Sequence, residues 1–274
     1  VRPLVYFTAT FYCHPRDDMS EFIQSGPQLK NEYIPLLKFI LQTKLPKKVF
    51  AEVNKDVETF ARRCVDEVQS LGEMALRNPP THIPYSPWGK RIDEIRVSDG
   101  CVKLHAVAAE EGLIALGYEG KEHSRLHQYA KLFLYHPSSA FYSCPLSMTD
   151  GAAKIIQTQA EAKLKKRVLS HLTTRDAQQF WTSGQWMTEK EGGSDVSNTS
   201  TTAMADGEEF LLTGTKWFSS ATTSEMALAL ARSEAGVEGS RGLSLFYIEM
   251  RDHNHQLNGI KIRRLKDKLG TRAL

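Results

Sequence analysis

The 274-residue sequence has little of what marks several classes of protein. It has four cysteines, which lie far apart and form no C-x-x-C pair: Cys13, Cys64, Cys101 and Cys144. A zinc site or a thioredoxin-like redox site is therefore not indicated, and scattered thiols fit a reducing compartment. No apolar run approaches the roughly 18 residues that span a bilayer, and no signal-peptide pattern is present. We expect an intracellular protein, and the sequence leaves mitochondrial and cytoplasmic locations open.

Strong charge and the usual fingerprints of phosphate and hydrolase chemistry are also missing. The formal net charge is +3, too small to indicate nucleic-acid binding. The most basic run, KLKKR at 163–167, is predicted to be a solvated helix face. No G-x-G-x-x-G, G-x-x-x-x-G-K-S or G-x-S-x-G pattern occurs. His253 and His255 form an H-x-H with no third ligand nearby, so we predict a solvated loop and no metal site.

Apolar residues in the first part of the chain recur with a helical period. The steps of four and three place on one helical stripe Val49, Val53, Val57, Phe60, Cys64, Val68, Leu71 and Ala75. Asn78-Pro79-Pro80 is predicted to end this helix, and residues 78–90 are predicted to form a proline-rich connector. Further helices are predicted near residues 102–116, 124–135, 148–159 and 162–172. Together these stripes predict a helical bundle.

After Trp181 the pattern becomes that of strands. An Asp206-Gly207 turn between two β-favouring runs predicts a hairpin. The runs KWFSS, MALALAR, LSLFYIEM and IKIRRL predict further strands. The predicted fold class is α+β, with a helical domain over residues 1–180 and a small antiparallel β domain over residues 181–274. Because the chain begins with valine and stops after KLGTRAL, we expect a piece of a longer protein.

The segment GQWMTEKEGGSDVSNTS (184–200) combines small, hydroxyl-bearing and aromatic residues. Adjacent Gly192 and Gly193 allow backbone N–H groups to approach a ligand, and Ser194 adds a hydroxyl donor suited to a phosphate oxygen. Thr188 offers a hydroxyl or amide to a heteroaromatic edge. These residues suit a planar cofactor with a pyrophosphate. A glycine loop beside a β core, with tryptophans packed inside, is the alternative that the residues leave open.

A second segment supplies an aromatic wall for such a ligand. Trp217 is placed to stack on a ring, and Ser219, two residues along the predicted KWFSS strand, is expected to face the same side.

Two motifs in this order resemble the acyl-CoA dehydrogenase family. MTEKEGGSDV followed by LTGTKWFSS is similar to the family's M/V-T-E-x-x-x-G-S-D and G-x-K-x-W-I/F-T/S. The helical-then-β order is also that of the family's N-terminal and middle domains. RNPPTHIPYSPWGKRIDEIRV, CPLSMTDGAAKII and RLKDKLGTR further resemble the branch typified by the bacterial alkylation-response protein. Lys190, where proline commonly follows T-E, departs from typical members and matches that branch.

The resemblance implies FAD and assigns roles by position. Met187 and Thr188 are expected at the isoalloxazine edge, and Gln185 at the start of the flavin-contacting strand. Gly193 and Ser194 are expected to hold the pyrophosphate, and Ser194 also to touch the acyl-CoA. Trp217 and Ser219 are expected to flank the flavin ring.

The implied reaction is α,β-dehydrogenation of a medium- or long-chain fatty acyl-CoA thioester, an oxidoreductase activity in fatty acid metabolism. The catalytic base is expected in a C-terminal helical domain beyond this chain, so no residue here is assigned to it. A homo-oligomer, a tetramer or dimer of dimers, is implied, and the electron acceptor is left open. The alternatives are a non-catalytic flavoprotein that binds acyl-CoA or nucleic acid, and an acyl-CoA oxidase.

Overall fold

The computed structural model describes residues 34–233 and 237–274, and Cys13 lies outside them. The described α-helices are Ile34–Lys44 (α1), Lys47–Arg63 (α2), Gln69–Arg77 (α3), Asp99–Glu110 (α4), Ser124–Tyr135 (α5), Ser143–Gln159 (α6) and Ala162–Leu172 (α7). The described strands are Thr81–Tyr85 (β1), Arg91–Arg96 (β2), Ser183–Trp186 (β3), Thr202–Asp206 (β4), Glu209–Thr213 (β5), Met226–Arg232 (β6) and Leu243–Glu249 (β7). The order of helices followed by a small β part confirms the predicted fold class. The domain division after residue 180 stays a prediction.

The long amphipathic helix is present and contains one irregular turn. α2 and α3 are joined without a break by a π-helical turn, Cys64–Val68. The predicted stripe lies in the core: from Val53 to Ala75 all of its members are buried, and only Val49 is partly exposed. The helix ends at Arg77, because the prolines at 79 and 80 cannot continue it.

The remaining helix predictions hold to different degrees. α5 and α7 have the predicted bounds. α4 ends six residues before its predicted end, because the chain passes into a 3-10 turn at Ala115–Tyr118. α6 begins five residues before its predicted start. The basic run lies on α7, with Lys163, Lys166 and Arg167 exposed, which confirms a solvated face.

The stretch predicted as a proline-rich connector, residues 78–90, contains the first strand and the turn of a β-hairpin. β1 and β2 pair antiparallel from Thr81 with Arg96 to Tyr85 with Arg91. The register shifts between Ile83 and Tyr85, at Pro84. Proline is accommodated there because a two-stranded sheet consists only of edge strands.

The β domain is a mixed sheet, where a purely antiparallel one was predicted. β6 lies at its centre and pairs antiparallel with β7 over its full length. On its other side β6 runs parallel to two strands: residues 226–229 pair with β3, and Arg232 pairs with Thr202 of β4. The predicted Asp206-Gly207 hairpin is confirmed as β4 and β5. Residues 216–220 and 260–265 are not strands, so the predictions for KWFSS and IKIRRL were wrong.

One face of this sheet packs on the helices. Met226 and Leu228 of β6 are buried against Ile156 of α6 and Val168 and Leu172 of α7. Each such side chain, fully buried, contributes about 1.5–3 kcal/mol. The packing fixes β3 and the loop after it relative to the helical domain.

The hairpin is attached to the β domain by one buried carboxylate. Asp93 is 3% exposed and has a left-handed φ of 47°. It accepts hydrogen bonds from Arg91 Nε (2.7 Å), His82 Nε2 (2.9 Å) and the N–H of Ile262 (3.1 Å). Arg91 also donates to the Ile262 carbonyl (2.9 Å). The backbone of Ile262 is therefore held through both its donor and its acceptor.

We predict that Asp93→Ala destabilises the protein by about 2–4 kcal/mol, because it leaves the part-buried Ile262 N–H and two side chains without their acceptor and puts alanine in a left-handed conformation. Asp93→Asn keeps one oxygen acceptor and a residue type that tolerates this φ, so it should cost less than half as much. Urea unfolding of the full-length protein measures both. Glu94→Gln is the control, since the Glu94–Arg96 pair is exposed and worth about 0–1 kcal/mol. Equal losses for Asp93→Ala and Glu94→Gln would contradict the assigned attachment.

Candidate functional site

β3 carries the first motif and is placed by the helix behind it. The N–H of Ser183 donates to Thr149 Oγ1 of α6 (3.0 Å). The N–H of Thr182 donates to Glu225 Oε2 at the start of β6 (2.8 Å). β3 then runs parallel to β6 and ends at Trp186. Met187 directly follows and packs on the cluster of β6 with α6 and α7.

The two motifs meet through their backbones. The N–H of Trp217 donates to the Thr188 carbonyl (2.9 Å), and Lys216 Nζ lies 3.5 Å from the Met187 carbonyl oxygen. Met187, Thr188 and Trp217, predicted for one site from separate stretches of sequence, are therefore neighbours.

A buried carboxylate joins these motifs to the start of β4. Glu189 is 3% exposed. Its Oε2 accepts from the N–H (2.6 Å) and hydroxyl (2.7 Å) of Ser200. Its Oε1 accepts from the N–H of Thr201 (3.1 Å), the hydroxyl of Thr201, and Lys216 Nζ (2.7 Å). Five donors thus converge on one side chain.

These donors determine the protonation state of Glu189. Burial by itself raises the pKa of the carboxyl, but the hydrogen bonds from Lys216, Thr201 and Ser200 outweigh burial and lower the pKa to about 2. Glu189 is therefore ionised at neutral pH. Because five donors occupy its oxygens, it is a structural anion and not an available general base.

The glycine pair lies in a tight turn that begins at this carboxylate. Glu189 and Gly192 exchange two backbone hydrogen bonds around the turn (2.9 and 3.3 Å). A Cβ on Gly192 would collide with the Asp195 carbonyl oxygen, and a Cβ on Gly193 would lie 3.0 Å from Thr188 Cγ2. Glycine is required at 192 because the loop folds back onto its own backbone at Asp195, and a side chain at 193 would press on Thr188.

A second clamp holds the far end of the loop. Arg232, the last residue of β6, donates to the carbonyls of Ser197 (2.8 Å) and Thr199 (3.2 Å). The second terminal nitrogen of Arg232, Nη1, donates to the carbonyls of Val237 (2.6 Å) and Gly239 (3.1 Å). The loop is thus fixed at both ends, while its centre at Gly193 and Ser194 is exposed.

The predicted ligand-binding hydroxyls are free. Within the described part of the chain, the side chains of Thr188, Ser194 and Ser219 make no hydrogen bond, and neither does the exposed Gln185. Gln185 points to the same face of the sheet as its partner Leu228. It therefore lies on the side that packs on α6 and α7.

The geometry around Trp217 differs from the prediction. Since residues 216–220 are not a strand, strand alternation does not place Trp217 and Ser219 on one side. Phe218 has a φ of 58° and Ala221 one of 55°, and the Ser220 N–H donates to the Phe218 carbonyl (2.9 Å). The chain turns here instead of extending.

Sequence reasoning missed Phe218. The family pattern G-x-K-x-W-I/F-T/S has one residue between lysine and the aromatic residue, but Trp217 follows Lys216 directly. Counted by the pattern, the aromatic position falls on Phe218 and the hydroxyl position on Ser220. Phe218 is 56% exposed and lies edge-on to Trp217, with ring centres 5.8 Å apart and an interplanar angle of 84°. The signal was in the spacing.

The residues present fit a flavin with a pyrophosphate. Gly193 of the exposed tip and the Trp217 backbone both lie against Thr188. The hydroxyls of Thr188, Ser194 and Ser219 are unpaired in the described part of the chain. Trp186 Nε1 is buried and, among the described residues, without a partner. A Cβ on Gly184 would lie 2.9 Å from this nitrogen and 3.4 Å from the Ser220 carbonyl oxygen, so both atoms border the space above Gly184. A buried donor without an acceptor is suited to a ligand.

The described residues form no metal-binding cluster. Within residues 34–233 and 237–274, no group of three or more His, Cys, Asp or Glu side chains is placed to hold a metal ion. His253 and His255 lie exposed in a loop, as predicted.

Sequence models of two known domains match the chain. One described as the acyl-CoA dehydrogenase middle domain matches residues 184–274. One described as the N-terminal domain of the adaptive response protein AidB matches residues 27–178.

Individual relatives agree with these matches. Acyl-CoA dehydrogenase family member 11 of Caenorhabditis elegans is 42% identical over 97% of this chain and 45% of its own length. Escherichia coli (strain K12) AidB is 31% identical over 76% of this chain and 39% of its own length. The crystal structure of C. elegans ACDH-11 in complex with C11-CoA superposes with a TM-score of 0.86 at 42% identity, covering 96% of this chain and 46% of that one.

The chain thus spans less than half the length of these relatives. The motifs that meet at Thr188, the helical-then-β order and the matches over both parts lead to the same conclusion: the chain belongs to the acyl-CoA dehydrogenase family.

Proposed function

We propose that this chain forms the N-terminal and middle parts of an FAD-dependent dehydrogenase of medium- or long-chain fatty acyl-CoA thioesters. The observation that carries the proposal is the meeting of the two motifs through the Trp217–Thr188 hydrogen bond, with an exposed glycine-serine tip beside it. Family members typically bind FAD. A relative at 42% identity was solved with C11-CoA, which supports an acyl-CoA ligand.

The residues take the following roles. Gly193 N–H and the Ser194 hydroxyl hold the pyrophosphate, and the Ser194 hydroxyl also reaches the acyl-CoA. Met187 and Thr188, which directly follow β3, lie at the isoalloxazine edge, and Gln185 lies on β3 just before them. The aromatic pair of Trp217 and Phe218 flanks the ring, with Ser219 beside it. Bound FAD supplies the acceptor for the hydride that leaves the acyl chain.

The proton of the acyl α carbon needs a base, and Glu189 does not supply it. Glu189, the buried carboxylate of the motif, has its oxygens occupied by five donors. Its pKa of about 2 makes it a poor proton acceptor near neutral pH. We assign the base, and the completion of the cofactor site in a homo-oligomer, to the C-terminal helical domain that the resemblance to the family implies.

The function is tested on the full-length protein by its visible spectrum, before and after anaerobic addition of a medium- or long-chain acyl-CoA. We expect a flavin absorbance band that bleaches. Rapid recovery on readmitting O₂, with peroxide formation, would indicate an oxidase instead. Flavin that stays oxidised with every acyl-CoA would favour the non-catalytic binding protein, and absence of flavin would overturn the proposal.

Ser194→Ala should weaken FAD binding about ten- to a hundredfold, because it removes a hydrogen bond to a charged phosphate worth about 1.5–3 kcal/mol. The melting temperature of the flavin-free protein should not change, since Ser194 is exposed and, in the described structure, unpaired. Titration of the flavin-free protein with FAD measures the affinity. Asn198→Ala, an exposed change in the same loop, is the control. Equal FAD affinity in both variants and wild type would remove Ser194 from the site.

Glu189→Gln should destabilise the protein by about 2–4 kcal/mol at pH 7, because the buried Lys216 ammonium loses its anion. The pKa of Glu189 is lowered in the folded state, so its stabilisation is fully present above 4.5 and is lost as pH falls toward about 2. The difference between wild type and variant should therefore narrow over that range.

Urea unfolding at a series of pH values measures this difference, and FAD titration at pH 7 should show weaker binding in the same variant. Glu191→Gln, an exposed change in the same turn, serves as the matched control. A stability difference independent of pH would show that the ionised carboxylate is not what fixes the loop.

A further inference from the structure

Two cations lie on the aromatic pair of Trp217 and Phe218. The guanidinium carbon of Arg264 is 5.9 Å from the centre of the Trp217 ring. Lys266 Nζ is 6.0 Å from the same ring and 3.4 Å from the centre of the Phe218 ring. Next to them, Arg263 donates to Thr215 Oγ1 (3.3 Å). We name residues 263–266 the cationic segment.

The charges of this segment are not compensated. In the part of the chain that the structure describes, Arg263, Arg264 and Lys266 form no ion pair with a carboxylate. The adjacent Asp267 is fully exposed and lies 3.8 Å from Arg272 instead. Uncompensated cations above a low-dielectric aromatic surface concentrate a positive potential there. An anionic ligand is favoured at this position.

The cationic segment is held in place from both sides. Before it, Ile262 is bound through its N–H by Asp93 and through its carbonyl by Arg91. After it, Ala273 is fully buried in the helical core, and its carbonyl accepts a hydrogen bond from Cys101 Sγ (3.2 Å). The cationic segment is not part of a sheet, so these contacts on either side of it are what hold it in place. They give Arg264 and Lys266 a fixed location beside the candidate cofactor site.

We propose that Arg264 and Lys266 form a phosphate subsite at the edge of this site, which binds a phosphate group of a nucleotide ligand. Guanidinium and ammonium groups are the side chains best suited to phosphate oxygens. Two ligands of the proposed function, on which this inference rests, carry that chemistry: the pyrophosphate of FAD and the phosphates of coenzyme A. The aromatic pair positions the charges, because the Arg264 guanidinium lies over the Trp217 ring and the Lys266 ammonium over the Phe218 ring.

The test uses the full-length protein with Arg264→Met and Lys266→Met, singly and together. Methionine keeps an unbranched stem against the rings and removes only the charge. Lys103→Met, an exposed change on α4, is the matched control for net charge. The dissociation constants of FAD and of free coenzyme A are measured separately by calorimetry, each at low and high salt.

We expect each substitution to weaken binding of one of these ligands about tenfold at low salt, and the loss to shrink as salt screens the charge. Loss for coenzyme A alone assigns the subsite to the thioester's nucleotide, and loss for FAD alone assigns it to the pyrophosphate. Unchanged affinity for both ligands in folded variants would overturn the proposal.

The two proposals fail separately. If the wild-type protein binds coenzyme A but holds no flavin, or never bleaches, the dehydrogenase function falls while the subsite stands on its coenzyme A data. If the double variant does not fold, the same dissociation constants are measured for Lys266→Gln, and those of the wild type are measured over a range of salt concentrations. Wild-type affinities for FAD and coenzyme A that do not depend on salt would overturn the subsite.

Discussion

The carboxylate of Glu189 is the contact on which the site depends. It joins three stretches that are distant in sequence: the first motif, the start of β4 at Ser200 and Thr201, and Lys216 of the second motif. A buried carboxylate is costly unless its oxygens are satisfied, so all three stretches must be in place together. Because the turn from Glu189 to Gly192 is closed by backbone hydrogen bonds, fixing the carboxylate also fixes the start of the glycine loop. Arg232 fixes its end. The exposed tip at Gly193 and Ser194 is therefore held from both ends, and Asp195 adds hydrogen bonds from the N–H and hydroxyl of Ser197.

The rest of the fold supports this arrangement from two directions. From one side, α6 and α7 pack on the sheet face of β6, and Thr149 of α6 accepts a hydrogen bond from Ser183 of β3, so the strand that leads to Thr188 has a fixed position on the helical domain. From the other, the β1–β2 hairpin reaches Ile262 through Asp93 and Arg91 and sets where the chain passes Trp217. The hairpin thus has a role that its proline content alone does not suggest: it connects the helical domain to the edge of the candidate site.

Sequence reasoning succeeded where the determinants are local. α5 and α7 have their predicted bounds because an amphipathic period is readable within one helix, and the β4–β5 hairpin follows from Asp206-Gly207.

Prediction from the sequence failed where a residue's partner is distant along the chain. The parallel pairing of β3 with β6 joins residues more than forty apart, and nothing local distinguishes it from an antiparallel pair. KWFSS has strand-forming residues, yet its backbone is used by Thr188 and then turns at Phe218 with a positive φ. The candidate residues could be named from their motifs, but the Glu189–Lys216 pair could not, because charges 27 positions apart show no pairing in a linear sequence.

The treatment of charge separates the parts of the molecule that hold the fold from the parts available to a ligand. Glu189 and Asp93 are both 3% exposed, and each is surrounded by donors that satisfy it. These two carboxylates are not available to a ligand, since a further partner would have to displace an existing hydrogen bond. Arg264 and Lys266 are the opposite case: their positions are defined by aromatic rings, while their charges have no described carboxylate partner. Cation–π contact contributes about 0.5–2 kcal/mol and leaves most of the hydrogen-bonding capacity of the cation unused. A cation that is held in place and has no carboxylate partner is well suited to bind an anion. Arg264 and Lys266 lie on the rings of Trp217 and Phe218, and Trp217 is hydrogen-bonded to Thr188.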